Sequence, residues 1–167
     1  HHFTLSDDIV RSFDTNTKMN PPLRSKDDLE ALKEGLKDGT IDVIASDHAP
    51  HSFDEKQVEF IFAPFGIVGL ETAIGLALTE LFHKKILTIQ QIIEKFSINP
   101  RKILNLPRIK IAEGEKANIT IFNPDTEWIV DIAKFKSKSK NSPFHGKILK
   151  GKPVAVFNNG QLVVSDL

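Results

Sequence analysis

Apolar residues recur along this chain with two different periods, and the change of period divides it. Leu29, Leu32 and Leu36 repeat at helical spacing behind Ser25-Lys26-Asp27-Asp28, which reads as a helix start with Ser25 as N-cap and acidic residues in the first turn. Gly39 is the matching stop. The run Ile41-Asp42-Val43-Ile44-Ala45-Ser46 is short, β-branched and largely apolar, the pattern of a strand buried on both faces of a parallel sheet. Residues 52–66 read as a loop whose Phe53, Phe60, Phe62 and Phe65 call for a packing partner. A strong amphipathic helix is predicted over 67–84 through Leu70, Ile74, Leu78 and Leu81, and a second over about 88–97 through Ile89, Ile92, Ile93 and Phe96. Asn99-Pro100 should end it, leaving a short turn around 101–104.

After Pro107 the period shortens. Residues 117–122, 127–130, 154–157 and 161–164 read as strands, with Asn158-Asn159-Gly160 as the hairpin turn between the last two. The Lys- and Ser-rich stretch 134–142 reads as a loop. The expectation is an α/β unit over residues 1–107 followed by a small β module over 108–167.

Composition narrows the function classes. The 167 residues carry 22 Lys+Arg against 22 Asp+Glu, which argues against a broad basic face for nucleic acid. Absence of cysteine removes disulfides, zinc ribbons and thiol catalysis, and suits a reducing, cytoplasmic setting. No apolar run reaches the ~20 residues of a membrane span, since Glu71 and Glu80 interrupt the longest one. The chain opens on His1-His2 rather than Met, so it reads as processed or as part of something longer.

The densest polar cluster, Asp47-His48-Ala49-Pro50-His51, follows directly on the expected strand. Function in α/β folds gathers at the carboxyl ends of strands. An aspartate there can ligate a metal and exchange a proton with bound water, and a histidine four residues on can donate to a substrate carboxylate. The pattern equally fits Asp47 as a turn cap beside surface histidines. Asn20, ahead of Pro21-Pro22, offers an amide donor and acceptor or serves an Asx turn. Pro64-Phe65-Gly66 leads into the expected helix, so its N–H groups either face a ligand or simply begin that helix. His1, His2, His83 and His145 are assigned to no metal.

In order and spacing, several stretches resemble the dihydroorotases of the amidohydrolase superfamily, of the class I or multifunctional-complex type. They are His1-His2-Phe3-Thr4-Leu5, Lys18-Met19-Asn20-Pro21-Pro22-Leu23-Arg24, Gly39-Thr40-Ile41-Asp42 and Ser46-Asp47-His48-Ala49-Pro50-His51. Ala63-Pro64-Phe65-Gly66-Ile67-Val68-Gly69-Leu70-Glu71-Thr72, Ser97-Ile98-Asn99-Pro100 and Ser137-Lys138-Ser139-Lys140-Asn141-Ser142-Pro143-Phe144 complete the set. The likeness covers essentially the whole chain.

The resemblance implies the C-terminal part of a (β/α)8 metal-dependent hydrolase barrel with a small β-sandwich module. It implies a zinc-dependent cyclic amidohydrolase interconverting dihydroorotate and N-carbamoyl-L-aspartate in pyrimidine biosynthesis. Asp47 matches a zinc ligand and catalytic acid/base, and Asn20, His51, Phe65 and Gly66 match substrate-contacting positions. One or two zinc ions would take their other ligands, a His-x-His pair, a carboxylated lysine or aspartate and two further histidines, from outside this chain. A barrel typically needs ~250 residues, so the chain is expected to be about the last two-fifths of an enzyme, inactive alone, with the N-terminal remainder as its partner. A homodimer and an aspartate transcarbamoylase partner stay open. The competing reading is a non-catalytic dihydroorotase-like scaffold subunit of a transcarbamoylase complex. A hydantoinase or allantoinase is disfavoured by the Asp47–His51 motif with Asn-Pro-Pro upstream.

Overall fold

The computed structural model describes residues 1–164, so the last three residues of the expected β module lie outside the described residues. Two short 3-10 turns, Asp7–Ser12 and Thr15–Thr17, precede the first α-helix, α1 (Lys26–Asp38). Its start follows the expectation: the Ser25 hydroxyl accepts from the Asp28 N–H while the Asp28 carboxylate accepts from the Ser25 N–H, a reciprocal capping box. Gly39, at φ 89°, closes the helix as expected. Leu29 and Leu36 are buried along its inner side.

The expected strand over 41–46 does not form a ladder. Residues 42–50 carry no regular element, and the backbone is anchored at single points, from Ile41 N–H to the Gly35 carbonyl and from Ile44 N–H to that of Lys95. A parallel strand exists only by pairing with neighbours, and the described residues supply none.

Within 52–66 the chain forms one turn of helix, α2 (Phe53–Lys56), capped by a second reciprocal box between Ser52 and Glu55. The aromatic residues of this segment are not packed away as expected. Phe53 and Phe62 are each 75% exposed and Phe65 is half-exposed.

The helix expected over 67–84 starts six residues late, as α3 (Ala73–Ala77), and runs on through a π-helical turn, Leu78–Phe82. The delay has a definite cause. The Gly66 and Ile67 carbonyls, which a helix starting here would offer to the N–H groups four residues on, accept instead from the Asn141 amide and the Ala49 N–H. Ile67 and Val68 instead enter the core directly.

The next helix, α4 (Ile89–Ile93), opens on a Thr88–Gln91 capping box and passes through a π-helical turn, Glu94–Ile98, into α5 (Asn99–Ile103). Asn99-Pro100 therefore opens a helical segment rather than ending one. Pro100 stands directly after the π-helical turn, where the regular α-helical ladder is already interrupted.

Three antiparallel strands follow, β1 (Ile119–Ile129), β2 (Ile148–Asn158) and β3 (Gln161–Val164), in the order β1-β2-β3. The two strands expected over 117–122 and 127–130 are one, bent by register shifts on either side of Phe122 and Asn123. Asn159 and Gly160, both at positive φ, make the expected hairpin turn. The described residues hold this single sheet.

One apolar cluster joins the two halves of the sequence. Met19, Leu23, Ile67, Val68 and Leu76 pack against Trp128, Val130, Phe144 and Leu149. The Trp128 indole N–H donates to the buried Gly151 carbonyl at 2.9 Å. Thr79 ties α3's continuation to β2, its hydroxyl accepting from Lys150 N–H at 2.8 Å and donating to the Gly75 carbonyl at 2.7 Å. A second cluster gathers Leu36, Ala77, Leu78, Leu81, Leu87 and Ile92 between the helices. No helix among the described residues is long and apolar enough to cross a membrane.

Candidate functional site

Three segments distant in sequence meet at the end of the 42–50 stretch. The Ala49 N–H donates to the Ile67 carbonyl at 2.9 Å, laying the Asp47–His51 segment along residues 65–69. The His51 Nε2 lies 2.9 Å from the Phe65 carbonyl oxygen. A carbonyl only accepts, so Nε2 carries the proton and donates. The other ring nitrogen, Nδ1, faces Glu55 Oε2 at 3.8 Å.

Two glycines make this approach possible. Gly66 sits at φ 106°, in the left-handed region, and a Cβ there would fall 2.5 Å from the Ala49 Cβ. At Gly69 a Cβ would strike the Ser46 hydroxyl and lie 2.5 Å from the Asp47 carbonyl oxygen. The backbone of Asp47 and that of Gly69 are thus in direct contact, and the Gly69 N–H donates to His48 Nδ1 at 3.3 Å. His48 is accounted for by this backbone bond.

Asn20 belongs to the same neighbourhood through its segment. Two residues before it, the Lys18 carbonyl accepts from Gly66 N–H at 2.9 Å, and the Lys18 ammonium donates to the carbonyls of Ile61 and Ala63 while lying 4.7 Å from the Phe65 ring centroid. The Gly66 N–H is therefore occupied by protein rather than presented to a ligand, and the chain that follows is not yet helical. Both Asn20 and Asp47 are exposed. Among the described residues neither the Asp47 carboxylate nor the Asn20 amide makes a hydrogen bond, so the turn-cap and Asx-turn readings of these side chains are not what the fold uses.

Behind the cluster sits Asn141, in the Lys- and Ser-rich loop. The residue is 6% exposed. The amide oxygen accepts from His51 N–H at 3.2 Å, and the NH2 donates to the carbonyls of Ala49 at 2.9 Å and Gly66 at 3.3 Å. Its own backbone carbonyl accepts from Val68 N–H at 3.0 Å. Sequence reading treats 134–142 as a polar loop, and no local periodicity marks Asn141. Glu71 holds the same loop from the other side, its carboxylate accepting from the N–H groups of Lys136 and Ser137.

A metal ion has no complete seat here. Among the described residues no three His, Cys, Asp or Glu side chains converge to hold one. Zinc takes four ligands, and Asp47 supplies a single carboxylate. The residues of this chain do not by themselves fit a zinc ion.

Residues 6–163 match the amidohydrolase family. The chain belongs to that family. Among amidohydrolase relatives, it is 52% identical over 166 residues to a dihydroorotase of Pelotomaculum thermopropionicum, covering 99% of this chain and 39% of that protein. It is 56% identical over 163 residues to a dihydroorotase of Clostridioides difficile, covering 98% and 38%. In three dimensions it is similar to the amidohydrolase-fold L-hydantoinase (dihydropyrimidinase) of Arthrobacter aurescens, at a TM-score of 0.89 and 29% identity over 98% of this chain and 38% of that one. The chain thus spans about two-fifths of the length of the curated relatives it matches.

Proposed function

We propose that this chain is the C-terminal part of a dihydroorotase, the enzyme that interconverts dihydroorotate and N-carbamoyl-L-aspartate in pyrimidine biosynthesis. One observation carries the reading. The segment bearing Asp47, the His51 imidazole and the Phe65-Gly66 turn is knitted into one backbone cluster, and Asp47 enters it with its carboxylate unspent on the fold. The roughly 50% identity to proteins named dihydroorotase supports the substrate class.

Hydrolysis of a ring amide needs water delivered to the carbonyl carbon and a proton delivered to the departing nitrogen. Asp47 suits both tasks in turn, taking the proton from water as the carbon–oxygen bond forms and returning it to nitrogen as the carbon–nitrogen bond breaks. His51 and Asn20 hold the substrate, and the Phe65-Gly66 backbone lies against its ring. Zinc, one or two ions per site, belongs to the whole enzyme and takes its other ligands from outside this chain. Residues 1–107 then close a (β/α)8 barrel with strands from that remainder, and 108–167 form part of a β-sandwich module. Alone, the 167-residue chain is inactive.

The test uses the whole protein. Wild type should hydrolyse dihydroorotate, and Asp47→Asn should lower kcat by about 10²–10⁴-fold. Absence of dihydroorotate turnover in the metal-loaded wild type would overturn the reading.

A further inference from the structure

Two loops must keep a fixed register for the candidate site to work, and a single buried side chain spans both. Asn141 uses its amide oxygen on the His51 N–H and its amide NH2 on the Ala49 and Gly66 carbonyls. Its backbone carbonyl takes the Val68 N–H. Three of its four contacts come from side-chain atoms, and they fall on the backbone of Ala49, His51 and Gly66, the last two already placed in the site. The loop carrying it is fastened from behind by Glu71 and by the Lys140 ammonium, which donates to the Ser137 carbonyl at 2.9 Å.

The chemistry of the amide is specific. Only an amide offers an acceptor and two donors in one plane. Aspartate at 141 keeps the shape and the acceptor but loses both donors, and it sets a carboxylate against two carbonyl oxygens. Alanine removes everything and leaves buried polar groups unpaired, at a cost borne by the backbone of both loops.

We propose that Asn141 is a positioning residue for substrate binding, holding the His51 loop and the Phe65-Gly66 turn at the separation the ligand needs. The inference rests on the dihydroorotase reading of this site, and acts through His51 and Gly66 rather than on the substrate. Its consequence falls on the fit of the ligand more than on the proton transfer at Asp47.

The experiment compares whole-length wild type with Asn141→Asp and Asn141→Ala by steady-state hydrolysis of dihydroorotate, with thermal melting in parallel. The expected result is a KM raised by about tenfold to a hundredfold, with kcat changed much less. A folded variant with KM within twofold of wild type overturns the proposal, even where its Tm has dropped, because that is the signature of a purely structural bond. Wild type itself gives a second readout that does not depend on the variants folding. On addition of N-carbamoyl-aspartate, the backbone amides of His51 and Val68 should slow together in hydrogen exchange. Slowing at His51 without Val68 also overturns it. Failure of wild type to turn over dihydroorotate strikes the functional reading instead, so the two failures are distinct.

Discussion

The His51 imidazole donates from Nε2 to the Phe65 carbonyl at 2.9 Å, so two positions proposed to contact substrate first contact each other. The bond orients the ring and fixes its tautomer, leaving Nδ1 toward Glu55. Substrate binding by His51 then either uses Nδ1 or displaces this bond.

In the whole protein, His51→Ala should raise KM for dihydroorotate by about ten- to a hundredfold, the range for losing a hydrogen bond to a charged group. His51→Asn, which retains a donor, should recover part of that loss. Equal KM values for the two variants and wild type would remove His51 from the site.

Gly66→Ala should destabilise the protein by about 1–3 kcal/mol, since the residue stands at φ 106° and the new Cβ meets Ala49. Denaturant titration of the two proteins measures it. An unchanged midpoint would mean that the 49–51 and 65–67 segments separate at no cost.

Gly69→Ala acts on a different contact, pushing against the Asp47 carbonyl and the Ser46 hydroxyl. The expected effect is a fall in kcat of about tenfold or more, following displacement of the Asp47 backbone. Wild-type kcat in this variant would disconnect Gly69 from the placement of Asp47.

The two capping boxes built on a carboxylate set an acid limit. Hydrogen bonds from the Ser25 hydroxyl and then its N–H hold the Asp28 carboxyl below its ordinary 3.8, and those from the Ser52 N–H and then its hydroxyl hold Glu55 below 4.5. A carboxyl with a lowered folded pKa adds stability that is complete above the unfolded value and drains as pH falls through the folded one. Ser25→Ala should therefore lower Tm above pH 3.8, with the gap to wild type narrowing as pH falls below it. A gap that widens in acid would reverse the sign.

Trp128→Phe should cost about 1–3 kcal/mol, because the Gly151 carbonyl loses its buried donor. The measurement is again the unfolding midpoint, and an unchanged value would show that water or a shifted strand replaces the indole.

Local chemistry was legible in the sequence wherever a few neighbouring residues decide the outcome. The Ser25 cap, the Gly39 stop and the Asn159-Gly160 turn are such cases, since a hydroxyl, a missing Cβ and a positive φ act within one turn of chain. So was the grouping of Asp47 with His51 on one segment. The 41–46 strand does not form among the described residues because a strand is a relation between segments, and the apolar run alone does not contain its partner. The start of α3 was misread for a similar reason: distant donors at Asn141 and Ala49 claim the Gly66 and Ile67 carbonyls that periodicity alone would assign to the helix.

The amino-acid order by itself determined which residues stand together as candidates for the chemistry, because a motif such as Asp47-His48-Ala49-Pro50-His51 is fixed by covalent adjacency. Only the tertiary structure decided that Gly66 spends its N–H on Lys18, that His51 leans on Phe65, and that Asn141 joins both loops across about 75 to 90 residues of chain. Hydrogen bonds of that span have no local signature. They form where burial removes water and every backbone donor and acceptor must find whatever partner the packing brings near.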